Sequence, residues 1–175
     1  MYPCRLSFSP MTWIIIQLFV DCNLCCMKRP FVFFLLPVLL LFQAIGALYG
    51  GISLMLKPDG SIMQMPLSWL QPSPFANYFI PGLILAVVLG CFPVFIVYGL
   101  LFMPKWNFGY LNIYPKRHWS LTFALYLGIM LVCWINVQLL MVQQYFWLQP
   151  IMALTGLLII VTSLAPRLIA YYGQP

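Results

Sequence analysis

The sequence contains no glutamate, two aspartates (Asp21 and Asp59) and a single histidine (His118), and only 6% of its 175 residues are charged. Soluble domains carry about a quarter charged residues, so a chain this poor in charge and 64% hydrophobic has lipid as its main solvent. A hydrolase needs paired carboxylates or a nucleophile with a base, and beyond residue 26 the chain offers one aspartate, Asp59, and one histidine, His118. A proton-coupled transporter is expected to hold an acid within the membrane, and the apolar runs contain none. No glycine-rich phosphate loop is present. The eight Lys and Arg residues are scattered over loop ends rather than gathered on a face, which argues against nucleic acid as a partner. His118, beside Lys116 and Arg117, is expected to be solvated and to add to local positive charge.

Six cysteines are present, but Cys91 and Cys133 lie inside apolar runs, where a thiol packs as a small hydrophobe. The other four fall within the first 26 residues, where "CNLCC" places Cys22 and Cys25 at CxxC spacing. A zinc or redox site needs further ligands or a supporting fold, and neither is offered, so no metal and no cofactor are expected. Residues 11–20, "MTWIIIQLFV", give about 15 Å of helix, half a membrane crossing. Met27, Lys28 and Arg29 then precede a long apolar run. Residues 1–26 are therefore expected to be an upstream extension, and residues 27–175 a single membrane domain; an interfacial or fifth helix is the competing reading of the first segment.

Four spans are expected, at about 31–50, 81–102, 121–141 and 145–165. The first is twenty residues without a charge, ended by Gly50 and Gly51. It also resembles a signal peptide with Ala44-Ile45-Gly46 as a cleavage site, although the apolar run continues beyond that point. Pro93 in the second span removes a backbone donor and should bend the helix. Only a few residues separate the third and fourth spans, which makes them an antiparallel hairpin. Small residues at four-residue spacing, Gly46 with Gly50, Ala47 with Gly51 and Ala86 with Gly90, favour contact between the first two helices.

Lys28, Arg29, Lys105, Lys116, Arg117 and Arg167 flank one side of these spans and Lys57 alone flanks the other. The positive-inside rule then puts both termini in the cytoplasm and the 51–80 loop outside. Trp106, Tyr110, Tyr114 and Trp119 on one side, with Trp69, Tyr78, Tyr145 and Trp147 on the other, are expected to form the interfacial belts.

The loop itself is rich in turn formers. In "KPDGS", Pro58 presets φ, Asp59 bonds back to the backbone and Gly60 takes the left-handed position. The flanking apolar runs suggest a β-hairpin pairing Ile52–Leu56 with Ser61–Met65. "PLSWLQ" reads as a helical turn, and "SPFANYFIPG" as an interfacial helix capped by Ser73 and meeting the second span at Pro81. Thirty residues where a handful would connect two helices mark Pro58, Asp59, Gly60, Trp69, Phe75 and Pro81 as candidates for a recognition surface. Inside the spans, Gln43, Asn136 and Gln138 are the candidate polar residues. They line an outward cup together with Gln143 and Gln144, or hydrogen-bond between helices.

The run "GGISLMLKPDGSIMQMPLSWLQPSPFANYFIPGLILAVVLG" (50–90) resembles small, uncharacterised bacterial integral membrane proteins in which a glycine pair ends the first helix, a Pro-x-Gly turn follows, and "SPF" and "IPG" lead into the second. The resemblance implies a four-helix protein of the bacterial cytoplasmic membrane and carries no activity with it. The expected architecture is thus an all-α membrane bundle of four spans with an outer hairpin and interfacial helix. The expected role is a non-enzymatic interaction or accessory protein whose partners are the lipid bilayer and other membrane proteins, itself included as a homo-oligomer. The alternatives are a small transporter or channel subunit, and a lipid- or quinone-linked enzyme.

Overall fold

An uncharged backbone in lipid must satisfy its own hydrogen bonds, and the long apolar runs do so as helices. The structure, a computed structural model, describes residues 31–71, 73–106, 108–114, 116–142 and 147–173. Expectations about residues 1–26, the CxxC pair, Gln143, Gln144 and Tyr145 lie outside the described residues. Helix α1 spans Phe31–Leu56, α2 Phe79–Phe102, α3 Trp119–Val142, α4 Leu148–Ser163 and α5 Pro166–Tyr171. The first three are long and apolar enough to cross a membrane. At 16 residues, α4 is about 24 Å long.

Helix α1 does not stop at its glycine pair. It absorbs Ile52–Leu56, the segment expected as the first hairpin strand, and no strand occurs among the described residues. The cause lies in the neighbour. A Cβ on Gly51 would stand 2.7 Å from the Ala86 amide nitrogen and from the Gly82 carbonyl oxygen, and one on Gly82 2.8 Å from Leu54 Cβ. The two glycines are the crossing point of α1 and α2, and the close backbone approach holds both helical there. At Gly90 an added Cβ would meet the Leu48 side chain at 2.8 Å, so the contact inferred from small-residue spacing extends along both helices.

Pro93 leaves its mark as a change of helix type. Leu85–Cys91 is π-helical, and the Phe92 amide donates to the Val87 carbonyl, the i→i−5 pattern by which a helix accommodates a local insertion. Helix α2 then ends at Met103, a non-glycine residue in the left-handed region (φ 46°) whose amide donates to the Gly99 carbonyl. Helices α3 and α4 pack through Gly128 and Gly156: a Cβ on either would come within 3.2 Å of the other's carbonyl oxygen.

The core between the helices is formed by Leu36, Leu40, Leu89, Ile96, Leu100, Leu127, Leu131, Ile159 and Leu168. Phe34, Val38, Ile45, Tyr49 and Leu56 cover the opposite side of α1. A helix apolar all round is suited to a membrane rather than to a water-facing surface.

Candidate functional site

Two assemblies flank the bundle. The first caps the end where α1 finishes and α2 begins. Gly60 has φ +79°, and its carbonyl receives the Met63 and Met65 amides at 3.1 and 3.0 Å. Asp59 Oδ1 accepts from the Ser61 amide at 3.1 Å and its hydroxyl at 2.9 Å, two donors that hold the carboxyl below its ordinary value. The turn therefore forms as expected, but it is followed by further turns and a 3-10 turn at Leu67–Leu70, not by a second strand. Tyr78 closes the cap. Its amide donates to Pro58 at 3.0 Å and its hydroxyl to the Pro66 carbonyl at 3.1 Å, and its ring is buried with Leu54 and Leu70 against Met63, Met65 and Phe75.

No interfacial helix forms between Ser73 and Pro81. The Ser73 hydroxyl accepts the Phe75 amide and Asn77 Oδ1 accepts the Phe79 amide. These side chains compete with the backbone for its donors and favour bends over a helix, and Pro81 falls in the first turn of α2. Of the candidate recognition residues, Pro58, Gly60 and Phe75 build the cap, Asp59 is exposed on its turn, and Trp69 sits half-buried on the 3-10 turn. Tyr78 is not a belt residue.

The described intramembrane amides sit in different settings. Gln43 lies midway along α1, 2% exposed, with its Oε1 buried and without a hydrogen-bond partner. Asn136 is exposed and its Nδ2 donates to Val132 in its own helix at 2.8 Å; Gln138 is half-buried. Thr155 and Thr162 likewise bond back to Ile151 and Leu158. An unsatisfied buried carbonyl costs about 1–3 kcal/mol, so Gln43→Met should raise stability by an amount in that range. Unfolding of the variant in detergent checks this, and a loss of stability would count against the assignment.

The second assembly, at the opposite end, was not visible in the sequence. There α3 begins, α2 ends and α5 packs: the His118 amide donates to the Tyr172 carbonyl and the Tyr172 hydroxyl to the Leu100 carbonyl, both at 2.9 Å. His118 is buried rather than solvated, at 5% exposure. Its Nε2 lies 3.1 Å from the Pro104 carbonyl oxygen and its Nδ1 2.7 Å from the Ser120 hydroxyl. A carbonyl can only accept, so Nε2 carries the hydrogen and Nδ1 accepts from Ser120, whose amide also approaches at 3.4 Å. His118 thereby caps the start of α3.

Pro104 gathers three donors, since the Trp106 amide and the Trp119 indole nitrogen donate to the same oxygen as His118. Trp119 is buried, not interfacial, and is stacked with Phe95 and Trp106 at 5.1 and 5.8 Å. Asn112 links the loop to α3, accepting from the Thr122 hydroxyl at 2.7 Å and donating to the Arg117 carbonyl at 3.0 Å. Beside this platform an open groove of about 450 Å³ is lined by Phe92, Leu111, Phe123, Tyr126, Ile129 and Met130. Among the described residues, no group of three or more His, Cys, Asp or Glu side chains is placed to hold a metal.

Burial pushes the His118 imidazole below its ordinary value of 6.5, and the bond to Pro104 offsets part of that shift. A depressed histidine favours the neutral form in the folded state, so the unfolded chain binds the proton more readily. The stabilisation is complete above about pH 6.5 and is lost as the pH falls through the lower folded-state value. Unfolding temperature should therefore drop between pH 7.5 and 5.5. His118→Asn, which keeps a capping acceptor without a titrating one, should flatten that drop.

No protein-family profile, curated protein or solved structure matches this chain.

Proposed function

We propose that the chain is a four-span accessory protein of a bacterial cytoplasmic membrane, with both termini cytoplasmic, that acts by binding other membrane components through its outer cap. The observation that carries this reading is the cap itself. A loop that only joined α1 to α2 would need neither a buried Leu54–Leu70–Tyr78 cluster nor a tyrosine bonded at both its amide and its hydroxyl. While that cluster is buried, Ile62 and Leu67 stay exposed on the same cap. Orientation is supported by charge: Lys105, Lys116, Arg117 and Arg167 flank the end formed by α2, α3 and α5, and Lys57 with Asp59 the other. Helix α4, packed on α3 through Gly128 and Gly156, serves as the fourth span. The reading agrees with the resemblance of residues 50–90 to small bacterial membrane proteins.

A transporter or channel role has less support: Gln43 is buried with an unpartnered oxygen, but Asn136 faces outward and the hydroxyls of the buried Thr155, Thr162 and Ser163 bond back to their own helix. Enzymatic work by the His118–Ser120 pair is disfavoured by Ser120, which is fully buried.

The test separates surface from scaffold. Ile62→Ser with Leu67→Ser should abolish co-purification of a partner in mild detergent while leaving the unfolding temperature unchanged. Gly60→Val, whose Cβ would fall 2.1 Å from the Met65 carbonyl oxygen, should lose both. A protein that emerges from native membranes alone and monomeric removes the proposal.

A further inference from the structure

The 450 Å³ groove and the cations near it point to a lipid site. Its volume lies within the range of ligand pockets, about 300–1,000 Å³. On α3 its lining runs from Phe123 to Met130, about 10 Å along the axis, and it starts one turn from the end that carries the basic residues. Its far wall is Phe92, about 15 Å from the end of α2 at Phe102. The groove therefore occupies the half of the bundle adjoining the His118 platform.

The lining is apolar apart from the Tyr126 hydroxyl, and that hydroxyl is already committed, donating to the Leu111 carbonyl at 3.1 Å. Water entering such a space would lack the two to four polar partners that it needs. The Tyr126 bond also fixes Leu111 as the end wall. The next residue, Asn112, holds the Arg117 carbonyl, and the Arg117 guanidinium lies 4.3 Å over the Tyr114 ring. The loop that closes the groove is thus the loop that carries Lys105, Lys116 and Arg117. Among the described residues of this end there is no carboxylate to neutralise them, since the described acid is Asp59 on the opposite cap.

We propose that this groove seats an anionic phospholipid, with one acyl chain against Phe123, Ile129 and Met130 and the phosphate among Lys105, Lys116 and Arg117. Basic pockets between helices favour anionic headgroups, and an apolar slot opening beside them supplies the chain's position. The inference rests on membrane embedding and not on the outer cap, so its failure leaves the accessory role standing.

The test uses the full chain in non-ionic detergent, titrated separately with dioleoylphosphatidylglycerol and dioleoylphosphatidylcholine, with native mass spectrometry counting bound lipids. One phosphatidylglycerol should bind at least about tenfold more tightly than phosphatidylcholine, and Lys116→Gln with Arg117→Gln should lower that preference about fivefold per cation removed. Ile129→Trp should fill the groove and weaken both lipids together. Ile129 is 47% exposed, so the larger ring can be accommodated; Ile129→Phe is the milder second variant, and unfolding temperatures verify the fold of each. Equal binding of the two lipids by the wild type, unchanged phosphatidylglycerol binding in both folded Ile129 variants, or a dimer that Ile129→Trp dissociates would overturn the proposal. The last outcome would give the groove to a second copy of the chain.

Discussion

Gly51→Ala is expected to destabilise the protein, and Gly50→Ala, one residue earlier, is expected to do the reverse. Both glycines lie within α1 and both gain helix propensity on substitution, by up to about 1 kcal/mol. Their surroundings differ. A Cβ on Gly50 meets only Leu85 Cδ2, at an ordinary 3.4 Å, whereas on Gly51 it meets the Ala86 nitrogen and the Gly82 oxygen at 2.7 Å and Ala86 Cβ at 2.8 Å. Backbone atoms of a packed helix cannot rotate aside as a side-chain tip can, so α1 and α2 must separate. Overpacking of this kind costs about 1–3 kcal/mol, and Gly51→Leu should exceed the alanine variant. Separation also reaches the cap, because Leu54 packs on Gly82 and belongs to the Tyr78 cluster. Unfolding in detergent, with tyrosine fluorescence of the cap as a second probe, measures both effects. A neutral Gly51→Ala would show that the two backbones do not touch.

The same glycine pair shows where the sequence was readable and where it was not. Twenty uncharged residues are enough to predict a helix in lipid, because no other open structure satisfies the backbone there. The far end of that helix was not predictable, since Gly50-Gly51 is a common stop signal and Ile52–Leu56 is too short to distinguish a strand from a continuing helix. Only the facing Gly82, 31 positions away in the chain, settles the matter. Turn chemistry, by contrast, is local. Pro58, Asp59 and Gly60 carry their conformation in their own side chains, and the expected turn is present even though the hairpin is not.

The site near His118 was hidden for a related reason. Next to Lys116 and Arg117, a histidine in a polar loop looks solvated, and its burial depends on Pro104 and Tyr172, which arrive from 14 residues before and 54 after. Trp119 presents the same difficulty. At the head of a span it reads as an interfacial anchor, and it turns inward because Gly99 leaves room for its ring. One signal was available: "LFMPKW" places a proline directly after a helix end, which marks where the helix must stop and the chain turn.

Gly99→Ala should therefore be the most damaging small substitution at that end. A Cβ there would lie 2.4 Å from Trp119 Cη2, 2.7 Å from Cζ2 and 2.9 Å from Ser120 Cβ. The indole has nowhere to go: Phe108 and Phe123 contact its edges at 4.8 and 5.4 Å, Phe95 and Trp106 stack on its faces, and its nitrogen is bonded to Pro104. Relief must come from parting α2 and α3, which loosens the Pro104 junction and with it the His118–Ser120 bond. The cost should reach the upper part of the 1–3 kcal/mol range for overpacking, accompanied by loss of the near-ultraviolet circular dichroism of the stacked tryptophans. Trp119→Leu should cost about 3 kcal/mol by itself. In that background Gly99→Ala should cost markedly less, because the two indole atoms it strikes have been removed and only Ser120 Cβ remains in its way, giving a coupling of about 1–3 kcal/mol between the two positions. Strict additivity of the two substitutions would show that the indole does not rest on Gly99.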